Sequence, residues 1–169
     1  SCLGSSASAQ PLTQSANTTI TMSGSNSTTS SSTIGNMTAT QVKNLLCPDG
    51  QVCMTLIATQ PLIVNVGDTI VLNALVTNNS PNTIHYTGGC KSGLSAIFDS
   101  HVVVHHKIGC NLIVLGSILP HQSKWIKGPG SLIEYEAVQA GFATSIVTFT
   151  YNGGTQVTKG FPFVIFPAL

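Results

Sequence analysis

Residues 142 to 151 read as an extended strand. Ala143, Ser145, Val147, Phe149 and Tyr151 fall on one side of an extended chain, and their neighbours fall on the other. A repeat of two is the side-chain period of a β-strand, and no helix gathers those positions on one face. The run ends at Asn152-Gly153-Gly154, a turn suited to a tight hairpin, and Thr155 to Phe166 then supplies the returning strand. Thr69 to Asn78 repeats the pattern with Ile70, Leu72, Ala74 and Val76 on one face. Ser131 to Val138 does so with Ile133, Tyr135 and Ala137 opposite Glu134 and Glu136. Shorter strand candidates are Val52 to Ala58, Leu62 to Val66, Leu94 to Phe98, His101 to His106 and the apolar run Asn111 to Leu115. Ala39 to Leu46 is the one short helix candidate. Many short strands with turns every 8 to 12 residues or so predict an all-β, immunoglobulin-like β-sandwich. The Cys…Trp…Cys spacing of antibody domains is absent, because Trp125 follows the last cysteine.

The strand signals start near Cys47. Before them, Ser1 to Gln41 carries no charged side chain, and about half of its residues are Ser or Thr. The chain therefore divides into an extended tail, 1–44, and a sandwich head, 45–169. Within the tail, 23 to 32 reads as linker. Thr18, Ile20 and Met22 alternate with Thr19 and Thr21, a β pattern stiffened by branched threonines. Leu3, Ala7, Ala9 and Leu12 space small apolar residues among polar ones.

Charge excludes several functions. Charged residues make up 7% of the 169, against about 25% in ordinary soluble domains. There is no arginine, and the net charge is +1. A nucleic-acid binder needs a basic face to replace phosphate counterions, and none is present. A chain 42% apolar with so little net charge is not a disordered polymer either. Its solubility must come from sugars, from assembly or from an unusual medium. No apolar run reaches the roughly 18 to 20 residues of a membrane helix.

Five cysteines in a β-rich chain point to export. Cys47 and Cys53 flank Pro48-Asp49-Gly50, and a bridge there would staple a hairpin with about 2 kcal/mol of loop-closure entropy. A Cys90–Cys110 bridge would contribute about 3 kcal/mol on the same basis. Other pairings fit the spacing too, and Cys2 is left over as a free thiol or an intermolecular link. Sequons for N-linked glycans occur at Asn17, Asn26 and Asn36 in the Ser/Thr-rich stretch and at Asn78 in the head.

Chemistry is sparse. His101, His105, His106, Cys110 and His121 invite a metal reading, but strand alternation sends His106 away from His101 and His105. No Met or His closely follows Cys110, as a blue-copper site requires. Glu134 and Glu136 share a solvent-facing strand side rather than forming an acid/base pair. No nucleophile elbow, zinc-protease motif or phosphate loop occurs. No catalytic residue, metal or cofactor is expected. Lys124, Trp125 and Lys127 form a candidate contact site or, more simply, cover a sandwich edge.

An extended, uncharged, mildly apolar segment can add as a strand to an open sheet edge. Backbone hydrogen bonds then hold it, and alternate side chains fill pockets. If the acceptor is another copy, the contact runs head to tail and generates a filament. With its uncharged tail, its three tail sequons and its β head, the chain resembles the subunits of archaeal extracellular filaments, the threads and bundling pili assembled by donor-strand complementation. The low charge also resembles that of surface proteins from hot acid habitats. The resemblance implies a homopolymer at the cell surface serving adhesion. Leu3, Ala7, Ala9, Leu12, Ile20 and Met22 would be the inserted side chains, and Cys2 could bond to a neighbour. Two other readings remain. One is a secreted monomeric immunoglobulin-like binding module, such as a protease inhibitor, which would work without residues 1–41. The other is an exported metal or redox protein.

Overall fold

The computed structural model of the protein describes residues 46–169, which fall within a unit beginning at Lys43. The tail, and most of the helix candidate at Ala39 to Leu46, lie outside the described residues. Eleven strands follow in order: β1 (Val52–Gln60), β2 (Val64–Asn65), β3 (Thr69–Asn78), β4 (Ile84–Gly89), β5 (Leu94–Phe98), β6 (Val102–His106), β7 (Ile113–Ile118), β8 (Gln122–Gly128), β9 (Ile133–Ala137), β10 (Gly141–Tyr151) and β11 (Thr155–Phe166).

They form two main sheets. The first runs β1-β3-β9-β6, with β8 pairing the same edge of β3 further along the strand. The second runs β2-β11-β10-β5. Neighbours are antiparallel except β2, which lies parallel to β11 over two residues. This is the A-B-E-D and C-F-G division of an immunoglobulin-like sandwich, with β2 as a short extra strand beside the last one. β4 and β7 add an antiparallel ribbon, in register from Ile84↔Ile118 to Gly89↔Ile113.

The alternating residues face the interior as their pattern dictates. Ile70, Leu72, Ala74 and Val76 from one sheet meet Ala143, Val147 and Phe149 from the other, and all are buried. Tyr135 and Phe149 are the largest fully buried side chains. Burying each large apolar side chain contributes about 1.5–3 kcal/mol relative to leaving it in water. The Asn152-Gly153-Gly154 turn forms as its residues predict. Asn152 and Gly153 take φ of 48° and 75°, the left-handed values a primed hairpin turn requires. The Asn152 side chain also accepts the His85 N–H at 2.9 Å, so the turn holds β4 as well as joining β10 to β11.

Several expectations change. Gln122–Gly128, which carries Lys124, Trp125 and Lys127, is a strand. Ile84–Gly89 is also a strand that the alternation did not reveal. The apolar run at Asn111 to Leu115 lies on the β7 ribbon, with Ile113, Val114 and Leu115 exposed. His101 sits in the turn before β6 rather than in the strand.

Candidate functional site

Two disulfides staple the head. Cys47–Cys53 closes the turn before β1, with Cα atoms 5.6 Å apart. Cys90–Cys110 ties the end of β4 to the β6–β7 connection, at 5.7 Å. Bonds of this kind persist in oxidising compartments. Cys2 lies outside the described residues, as do Leu3, Ala7, Ala9, Leu12, Ile20, Met22, Asn17, Asn26 and Asn36.

The fourth sequon is closed to a sugar in this fold. Asn78 is 0% exposed, and its amide nitrogen, the atom a glycan would take, donates to the carbonyls of Asn82 at 2.8 Å and Ile118 at 3.0 Å. Its oxygen accepts from the Ser80 backbone and hydroxyl. Asn78 is a buried brace of the β3–β4 turn, and the expectation of a glycan there is corrected.

The histidine cluster disperses. His101 Nδ1 contacts Asp99 at 2.8 Å, and His105 Nε2 contacts Glu136 at 2.7 Å across β6 and β9. Lys107 pairs with Glu134 on the same sheet face, and this holds the Glu134 carboxyl below the usual range. Cys110 is consumed by its disulfide. Among the described residues, no three His, Cys, Asp or Glu side chains gather as a metal would need. Glu134 and Glu136 are therefore members of a cross-strand charge ladder. Trp125 is 53% exposed on the outer face of β8, opposite Leu75 of β3, while Lys124 turns the other way toward the Tyr86 ring, 5.7 Å from its centroid.

Asp99 is the most heavily bonded carboxylate. It accepts the backbone N–H groups of His101 at 3.0 Å and Thr144 at 2.7 Å, and the Thr144 hydroxyl at 3.0 Å. The His101 N–H is the leading cause, with Thr144 adding to it, of a carboxyl held far below the ordinary range. This joins the β5–β6 turn to β10 and is structural.

What remains is a sheet edge. β10 pairs with β11 along its whole length, Gly141↔Ile165 to Tyr151↔Thr155. The opposite edge of β11 meets β2 only at Ile165 and Phe166. From Thr155 to Val164 that edge has no ladder partner among the described residues. The core behind it is also incomplete. Val157, Phe161 and Phe163 face inward but are only half-buried, as is Ile57 across the seam on β1. Phe161 and Phe163 stack at 5.6 Å. Lys159, in the same inward row, sends its ammonium across to the Met54 carbonyl at 3.2 Å.

A strand edge open over ten residues, with a half-covered apolar row behind it, is what an added strand would complete, in backbone bonds and in core contacts alike. The β7 edge differs. Ile113, Val114 and Leu115 are exposed in succession, so that stretch of β7 turns no alternating half-buried row toward the core. The sequence alone does not say which strand edge is open. The signal was present in Val157, Phe161, Phe163 and Ile165 alternating along the last strand, but only the strand pairing of the folded head leaves the outer edge of β11 open from Thr155 to Val164 among the described residues. Among the described residues no helix is long and apolar enough to cross a membrane. In comparison with known proteins, no family model and no curated sequence matches this chain.

Proposed function

We propose that the protein is a non-enzymatic structural subunit of an extracellular adhesive filament, in which the N-terminal tail of one copy adds as a strand to the head of another. The observation that carries this reading is the outer edge of β11. On that edge ten residues, Thr155 to Val164, have no ladder partner among the described residues, over a half-buried row of Val157, Phe161 and Phe163. The tail has the composition such an edge can take up: as far as Gln41 it carries no charged side chain, and it is rich in β-branched threonine and apolar at alternate positions near Ile20 and Met22. Insertion would satisfy backbone groups and cover phenylalanine surface in one step, and repetition would propagate a non-closing contact. Sugars on Asn17, Asn26 and Asn36 would coat the fibre and supply the solubility that the few charges do not.

Electron microscopy of native material tests the reading directly, since fibres are expected. Deletion of residues 1–22 should leave soluble heads with no fibres. Fibres from that truncated chain would reject strand donation by the tail.

A further inference from the structure

We infer that Lys159 sets the register and direction of the added strand, and that the strand is residues 16–22 of another copy, running parallel to β11 with Thr18 opposite Lys159. This rests on the strand-donation reading above and specifies its partner segment. The inward row of β11 is not uniformly apolar: Val157, Lys159, Phe161, Phe163 and Ile165 follow at every second residue. Lys159 is the only charged member. Its ammonium is held at the seam by the Met54 carbonyl, at 3.2 Å. A strand added beside β11 places its own inward side chains directly against this row. It must therefore offer apolar residues opposite Val157, Phe161 and Phe163 and a hydrogen-bond acceptor opposite Lys159. A bulky apolar side chain at that level would bury the ammonium without a further partner, and a cation would repel it.

Ala16, Thr18, Ile20 and Met22 meet these requirements in order, but only in the parallel direction. Ala16 then falls opposite Val157, Thr18 opposite Lys159, Ile20 opposite Phe161 and Met22 opposite Phe163. Running the same segment antiparallel puts either Ile20 against Lys159 and Thr18 against Phe161 or, with Thr18 kept at Lys159, Ala16 against Phe161 and the polar Gln14 against Phe163. Shifting it by one residue turns Asn17, Thr19 and Thr21 inward and leaves the phenylalanines facing polar groups. The parallel direction is also that of β2, which already occupies the Ile165 and Phe166 positions. The donor must leave the edge after Met22, and Ser23-Gly24 follows there. The sequon residue Asn17 falls on the outward face, where a sugar has room. Leu3, Ser5, Ala7 and Ala9 follow the same order with smaller side chains, and fill the Phe161 and Phe163 levels less well.

A charge swap in the full-length chain tests the assignment, with assembly followed by light scattering and electron microscopy. Thr18→Lys should lower the assembly rate on the order of tenfold or more through like charge at Lys159. Adding Lys159→Glu should restore it, while Lys159→Glu alone assembles. Ile20→Lys should block assembly and not be rescued by Lys159→Glu. Circular dichroism of the Lys159 variant checks the head, and Lys159→Gln serves as a neutral second variant giving partial rescue. Normal assembly of Thr18→Lys while Ile20→Lys is blocked overturns the register but leaves strand donation standing. Loss of assembly in Ser5→Lys but not in Thr18→Lys overturns the choice of segment. Indifference to Ile20→Lys together with fibres from the 1–22 deletion overturns strand donation itself.

Discussion

The Tyr135 hydroxyl on β9 accepts the backbone N–H of Ala96 on β5 at 2.9 Å, and so joins the two sheets through the middle of the core. Tyr135 is 1% exposed, its ring meets Phe98 edge-on at 4.7 Å, and burial raises its phenol above the ordinary value. β5 has β10 on one side only, so its free edge needs this donor satisfied from the other sheet. Tyr135→Phe keeps the ring but leaves the Ala96 N–H without its acceptor. Urea unfolding should show a loss of about 1–2 kcal/mol with an unchanged m-value. An unchanged midpoint would mean that the bond contributes nothing net.

Asp99 gives the head an acid-dependent term of known sign. Its carboxyl titrates far lower in the folded protein than the ordinary value of about 3.9 in an unfolded chain. The stabilisation is therefore complete above about pH 4 and shrinks as the pH falls from there toward the folded value. Asp99→Asn removes the ionisation. The stability gap between wild type and Asp99→Asn should be constant from pH 7 to about pH 5 and should narrow in more acid solution. A gap that widens as the pH falls would contradict the sign.

The Cys90–Cys110 bridge closes a separation of 20 residues that contains β5 and β6. Replacing both cysteines by serine should cost about 3 kcal/mol, against about 2 kcal/mol for the Cys47–Cys53 pair with its separation of 6. Thermal unfolding of the two double variants should rank them in that order. The reverse ranking would show that loop closure is not the governing effect.

Glycan mapping separates tail from head. Mass spectrometry of native material should find hexose-bearing mass on Asn17, Asn26 or Asn36 and an unmodified Asn78, whose amide nitrogen is committed to the Asn82 and Ile118 carbonyls. Bare tail asparagines would remove the sugar coat from the functional reading. A sugar on Asn78 would require the β3–β4 turn to be open.

The strands that bury one face were legible as residues. Thr69–Asn78 and the β10–β11 hairpin alternate because a sandwich core takes every second side chain. β8 was not legible, because among Gln122 to Gly128 only Ile126 and Gly128 are buried. β4 was missed for the same reason, with Ile84 its one buried residue. Strands held by backbone pairing to a neighbour leave little mark on hydrophobic period. The candidate site was half legible: a tail fit to be a strand could be read, but the edge it would join could not.

The linear chain by itself determined the all-β class, the hairpin at Asn152-Gly153-Gly154, the scarcity of charge, and the spacings that permit two short disulfide loops. Each depends on neighbours a few residues apart or on composition alone. Tertiary structure alone decided that Asn78 is a brace rather than a sugar site, that His101 and His105 part to separate acids, and that β11 meets β2 over two residues only, with Lys159 set among half-buried phenylalanines. These outcomes depend on which distant strands come to lie side by side. That choice follows from the packing of two whole sheets against each other, and no local pattern of side chains encodes it.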